Sequence, residues 1–144
     1  MKDIKNDVLI EAPAALVWDL LTNPSRTPEY MYTCAIETDL QEGSTILWRG
    51  INDQVVYVSG RVIAITPNHS MTYSVIDPNG KYEQTEENHL IVSYLLEEKD
   101  GQTKLSVVQS GYETVALGQE RYDEAVAGAG WSGVLAKIKE MAEK

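Results

Sequence analysis

The sequence predicts an α+β fold in which one antiparallel sheet is covered by a long carboxy-terminal helix, with two short helical pieces after the first strand. Three observations carry this prediction. From residue 34 the apolar residues alternate with polar ones, the period of a half-buried strand. Turn signals punctuate that region at QEGS (41–44), TPNH (66–69), DPNG (77–80) and KDGQ (99–102). After residue 118 the period returns to that of a helix and keeps it to the end.

Taken in order, residues 4–11 (IKNDVLIE) read as a strand. Pro13 then supplies the backbone angle favoured at a first helical position. Ala14, Val17, Trp18 and Leu21 recur at helical spacing and form one buried stripe. Asn23-Pro24 ends that helix, and Pro24 and Pro28 leave room for only a short second piece over 25–31. In the strand around residues 55–65, Val56, Val58, Gly60, Val62 and Ala64 share the dry side. Met71, Tyr73 and Val75 continue that side, followed by Leu90, Val92, Tyr94 and Leu96, and then by Leu105, Val107 and Gln109. Asp-Gly in KDGQ suits a tight primed turn and gives the strongest hairpin signal. Residues 81–88 (KYEQTEEN) have no period and read as a loop.

The dry side of such a sheet needs a cover, and a helix over 119–143 is the one element long enough. Trp131, Leu135, Ile138 and Ala142 form its inward stripe, with Glu124, Ala127 and Gly128 extending that sector toward its start. Glu140 and Lys144 are spaced for an ion pair on the outer side. Gly128, Gly130 and Gly133 within one helix would together cost roughly 2.5–3 kcal/mol relative to alanine. The expectation is that their missing side chains open a hollow beneath Trp131.

Composition narrows the function. The 144 residues carry 43% hydrophobic content, which fits a single domain over 1–144. Twenty-two acids against twelve bases give a net charge of −10, which repels phosphate backbones and argues against a nucleic-acid partner. No run approaches the roughly 20 apolar residues of a membrane span. The single cysteine, Cys34, and an amino terminus without an apolar signal stretch fit the cytoplasm. No phenylalanine stands beside eight tyrosines and three tryptophans, so every aromatic side chain brings a polar handle.

The stretches IEAPAALVWDLLTNP, EGSTILWRG, SGRVIAITPNHSMTYSV, LLEEKDGQTKLSVVQSGY and GWSGVLAKIKE together resemble the START and polyketide-cyclase-like (SRPBCC) superfamily. Within it they look like the branch homologous to the activator of the ninety-kilodalton heat-shock protein ATPase. The resemblance implies the helix-grip fold, a curved antiparallel sheet wrapped around the long terminal helix, and a pocket for apolar or amphipathic molecules. Tyr30 and Met31 stand about where that family often has a tryptophan. A chaperone partner is implied only weakly: the activating relatives use a separate amino-terminal domain, and this sequence opens on the grip-like part.

The candidate ligand-binding residues are Trp48, Tyr73, Tyr94, Gln109, Gly128, Trp131 and Leu135, with core packing the competing role for each aromatic. Cys34 reads as a small buried hydrophobe. His69 in a turn and His89 on a polar strand face are expected in solvent, and no metal-ligand spacing accompanies them. Glu86-Glu87 and Glu97-Glu98 are adjacent in sequence, so an extended strand points their members to opposite faces. GAGWSG lacks the Gly-Lys-Ser/Thr ending of a phosphate loop. With no nucleophile elbow or cofactor fingerprint, no catalytic residue and no cofactor is assigned. Arg49, Arg61, Tyr57 and Gln109 would become catalytic candidates if strand parity were shifted by one residue. The sequence therefore reads as a binding domain for an apolar or amphipathic small molecule. The alternatives are a cyclase- or hydrolase-type enzyme using the same cavity, and a chaperone-associated interaction module.

Overall fold

A computed structural model describes residues 3–144. Seven strands form one antiparallel sheet in the order β1-β7-β6-β5-β4-β3-β2. They are β1 (Ile4–Ile10), β2 (Cys34–Thr38), β3 (Thr45–Gly50), β4 (Val56–Thr66), β5 (Ser70–Val75), β6 (Leu90–Lys99) and β7 (Gln102–Ser110). Only β1 leaves its sequence neighbours, crossing to pair Ile4 with Gln109 and Ile10 with Thr103. The helices are α1 (Ala14–Thr22), α2 (Gly118–Ala127) and α3 (Ser132–Ala142), with one-turn 3₁₀ segments at Thr27–Glu29 and Glu86–Asn88. This is the α+β, helix-grip architecture.

The β6–β7 turn places Asp100 and Gly101 at φ of 55° and 79°, the two positive angles of a primed hairpin turn. The alternation predicted for β5, β6 and β7 holds, with Tyr73, Val92, Tyr94 and Val107 each 1% exposed. It fails near the end of β4. The register slips between Val62 and Ala64, which turns Ala64 outward and lets Ile65 pack against the core. A second slip between Trp48 and Arg49 leaves Tyr57 unpaired opposite β3. An extra residue bends its strand, so the two bulges curve the sheet at the β3–β4–β5 end. At Gly60 the strands approach so closely that a Cβ would lie 1.7 Å from the Ser74 carbonyl oxygen.

Ala14, Val17, Trp18 and Leu21 are all buried, and α1 packs on α3. Pro13 precedes α1 as its cap instead of occupying its first turn. The Ala14 amide donates to Glu98 Oε1 on β6 at 2.7 Å. The second helical piece shrinks to the 3₁₀ turn, whose Thr27 is fully buried. Its hydroxyl accepts from the Ile36 amide and donates to the Cys34 carbonyl, both at 3.1 Å, completing β2 where no further strand pairs.

The largest correction concerns the terminal helix, which is two helices. Gly128 caps α2, and Ala129 and Gly130 then take φ of 60° and 59°, the left-handed conformation that ends helices. A tertiary contact fixes the break. Asn6 Oδ1 on β1 accepts the Trp131 amide at 3.0 Å, and a Cβ on Gly130 would lie 2.6 Å from that same oxygen. Gly128 and Gly130 therefore serve a chain reversal, while a Cβ at Gly133 would meet nothing within 4 Å. Glu124 and Ala127 are exposed, whereas Ala125 packs against the core. On α3 the ion pairs are Lys137–Glu140 at 3.6 Å and Lys139–Glu143 at 2.6 Å, in place of the expected Glu140–Lys144 pair.

Candidate functional site

Two regimes lie beneath the helices. Under α3 the space is solid: Val134, Leu135, Ile138 and Met141 are buried in the core. Beneath α2 only Tyr122 and Ala125 pack against the core, and a hollow of about 650 Å³ lies between helix and sheet. The division falls at the helix break. Before it, α2 is polar and contributes only Arg121, Glu124 and Ala125 to the hollow's wall.

The sheet supplies the floor through Trp48 on β3, Val58 on β4, Tyr73 and Val75 on β5, Val92 on β6 and Gln109 on β7. Register explains their alignment. Tyr73 pairs with Val92, and Val92 with Gln109, so the three form one row across the concave face. Met31, Tyr32 and Cys34 close one side. Tyr82, from the 81–88 loop, and Tyr112, after β7, close another.

Of the residues expected to bind a ligand, Trp48, Tyr73, Gln109 and Trp131 line the hollow and Tyr94, Gly128 and Leu135 do not. Tyr94 lies behind the wall, edge-on to Tyr73 (5.4 Å between ring centroids) and to Trp131 (5.9 Å). Gly128 is exposed at the end of α2, and Leu135 belongs to the solid core. Of the residues considered under a shifted parity, Arg49 pairs with Glu37 on the outer side at 2.7 Å, and Arg61 is exposed. Tyr57 does reach the hollow, from its bulge, hydrogen-bonded to Asp53. Tyr30 is buried and donates to the Leu20 carbonyl at 2.7 Å, leaving Met31 on the wall. His69 is exposed as expected, but His89 is half-buried with Nδ1 2.8 Å from the Thr85 carbonyl.

Two separate side-chain hydrogen bonds lie at and behind this wall. The Trp131 indole N–H donates to Gln109 Oε1 at 2.8 Å, and the Tyr73 and Tyr94 hydroxyls lie 2.5 Å apart. Burial holds both phenols above the ordinary tyrosine value. For Tyr73 the neighbouring Tyr94 adds to the effect, whereas the Tyr73 hydrogen bond partly offsets it for Tyr94. At neutral pH they are protonated and can donate hydrogen bonds, but a phenol in that state is not a base. Burial likewise pushes the Cys34 thiol up, with Asp53 adding to it, so a thiolate is disfavoured.

Sequence reasoning missed the residues that hold α2. Arg121 Nη1 donates to the Asn88 carbonyl at 3.0 Å and to the Ala116 carbonyl at 3.2 Å. Its guanidinium lies 4.2 Å from the centre of the Tyr82 ring. Tyr112 and Tyr122 meet edge-on at 5.3 Å. The contacts of Arg121 with Asn88 and Tyr82 join segments more than 30 residues apart, and the lack of pattern in 81–88 gave no sign of them. Among the described residues no group of histidine, cysteine, aspartate and glutamate is placed to hold a metal ion. No described helix is long and apolar enough to cross a membrane.

A family model described as "Activator of Hsp90 ATPase homolog 1-like protein" matches residues 11–143. The solution structure of ChR145 from Cytophaga hutchinsonii is similar, with TM-score 0.73, 24% identity, and coverage of 98% of this chain and 93% of that one. MLL2253 from Mesorhizobium loti gives TM-score 0.72 at 20% identity over 96% and 95% of the two chains. The Aha1 dimer from Colwellia psychrerythraea gives 0.71 at 19% identity over 99% and 97%. At these identities the likeness is one of fold. No curated protein matches the chain.

Proposed function

We propose that this chain, which belongs to the Activator of Hsp90 ATPase homolog 1-like family, binds a small apolar or amphipathic molecule between its sheet and α2. The observation that carries the reading is the contrast under the two helices. The space beneath α3 is filled by side chains, whereas about 650 Å³ beneath α2 is walled by apolar and aromatic groups. Pockets of a few hundred Å³ with a mostly apolar lining and a few placed polar groups are where small molecules bind. Trp48, Tyr73, Gln109 and Trp131 are the proposed contacts, with Tyr94 steadying Tyr73 and Trp131 from behind. A reducing compartment such as the cytoplasm suits the free, buried Cys34.

Native mass spectrometry of the purified protein, together with tryptophan fluorescence during titration with apolar and amphipathic compounds, tests the proposal. A co-purifying small molecule, or a saturable emission change that Trp131→Phe abolishes, is the expected result. An empty protein that responds to none of the panel would refute it.

The family description also favours association with a chaperone ATPase as a second reading. Its structural counterpart is the exposed apolar pair Ile51 and Val55 beside Tyr32 and Tyr57, which also line the hollow; the Ile51 amide donates to the Thr33 carbonyl at 3.0 Å and joins two loops. Adding the chain to purified Hsp90 tests this reading. An ATPase rate unchanged at saturating concentration would count against it.

A further inference from the structure

We propose that the hollow selects an uncharged ligand carrying an acceptor oxygen, such as a ketone, ester or lactone, and that Gln109 reads this oxygen through an amide whose orientation Trp131 locks. The inference rests on the proposed binding reading and specifies its ligand.

An indole N–H can only donate. Because Trp131 Nε1 lies 2.8 Å from the Gln109 amide, the atom facing it is the oxygen, and the amide cannot turn over without setting N–H against N–H. The Nε2 end is then fixed in place as a donor. Among the described residues it has no hydrogen-bond partner, and Gln109 lies on the wall of the hollow. A hydrocarbon placed against Nε2 would leave it unpaired. A carbonyl or ether oxygen would satisfy it.

Tyr73, on the other side of Val92 in the same cross-strand row, is buried, and its hydroxyl is engaged with that of Tyr94 at 2.5 Å. The donor this row presents to a ligand is therefore the uncharged Gln109 amide, with apolar Val92 beside it.

The charged groups on the wall argue against an anionic head. Asp77 and Glu124 stand beside a single cation, Arg121, whose Nη1 is taken up by two backbone carbonyls and which also stacks on Tyr82. The chain as a whole carries −10. A carboxylate ligand would meet that field, whereas a ketone would not.

Calorimetric titration with three probes sharing one ring system tests the proposal: 2-acetylnaphthalene, 2-isopropylnaphthalene and 2-naphthoate. The ketone should bind about 3- to 10-fold more tightly than the hydrocarbon, the worth of one net hydrogen bond, and also more tightly than the carboxylate. Gln109→Glu at pH 8 keeps an acceptor for Trp131 but removes the donor, and should bring the ketone to within about 2-fold of the hydrocarbon. Circular dichroism checks that the variant folds. If it does not, Trp131→Phe, which frees the amide to turn, should narrow the preference in the same direction. Equal binding of ketone and hydrocarbon to the wild type would overturn this inference and leave the binding reading standing. A preference unchanged in Gln109→Glu would overturn the assignment to Gln109, and carboxylate binding as tight as the ketone's would overturn the exclusion of anions. Failure of all three probes to bind would overturn the binding reading and this inference together.

Discussion

Replacing Gly130 by alanine tests the break between α2 and α3 by the sign of its effect. Were residues 119–143 one continuous helix, the substitution would stabilise the protein by about 0.8–1 kcal/mol through helix propensity. The observed backbone predicts the reverse. At φ of 59° an alanine pays roughly 1–2 kcal/mol for the left-handed conformation. Its Cβ would lie 2.6 Å from Asn6 Oδ1 and 2.8 Å from Ile4 Cγ2, so Asn6 must move and release the Trp131 amide. Loss of that hydrogen bond adds about 0.5–1.5 kcal/mol. The sum is about 1.5–3.5 kcal/mol of destabilisation, and with a urea slope near 2 kcal/mol per molar the midpoint should fall by about 0.8–1.8 M. The neighbouring position supplies the control. Ala129 has φ of 60°, so Ala129→Gly relieves strain and should raise stability by about 0.5–1 kcal/mol after the entropy gained by the unfolded chain is subtracted. Urea denaturation followed by circular dichroism at 25 °C measures both variants. A Gly130→Ala midpoint equal to or above that of the wild type would refute the broken helix.

Thr27→Val preserves shape but leaves the buried Ile36 amide and Cys34 carbonyl without the hydroxyl, costing about 2–3 kcal/mol. Hydrogen exchange at the Ile36 amide should accelerate, and an unchanged rate would remove the edge-sealing role. Gly60→Ala forces a Cβ into the Ser74 carbonyl and should cost about 3 kcal/mol, lowering Tm by roughly 6–12 °C; a change of less than 2 °C by calorimetry would contradict the close approach. Burial holds Tyr30, Tyr73 and Tyr94 above their unfolded value near 10. Their contribution is therefore intact below about pH 10 and is lost as pH rises through the folded values, by up to about 1.4 kcal/mol per pH unit for each phenol. Thermal melts from pH 8 to 12 should show a plateau and then a steep fall, shallower in Tyr73→Phe. A flat profile would argue against buried phenols.

The alternation of Met71–Val75 and Leu90–Leu96 and the Asp-Gly turn were legible because each is set by neighbours along the chain. The bulges of β4 were not, because a slip depends on the partner strand, and Ala64 is as apolar as its predicted place requires. The three glycines carried a real signal with the wrong geometry. Local propensity could not show that Asn6, more than 120 residues away, would hold the Trp131 amide. Trp48, Tyr73, Gln109 and Trp131 were reached by parity and helical phase, since both periodicities point a side chain inward. Arg121 and Tyr82 were not, because a cation lying on an aromatic ring has no linear signature.

The crossing of β1 to β7 has a consequence for how the protein is made. Synthesis delivers β1 first, yet the strand beside it in the sheet is the last of the seven. Strands β2 to β7 can pair in the order they leave the ribosome, each beside its predecessor, while β1 and the apolar face of α1 wait. Closing so long a loop is slow, because chain entropy must be surrendered before the contact rewards it. Trp131, anchored to Asn6 on that same first strand, completes its side of the hollow only once β1 has docked.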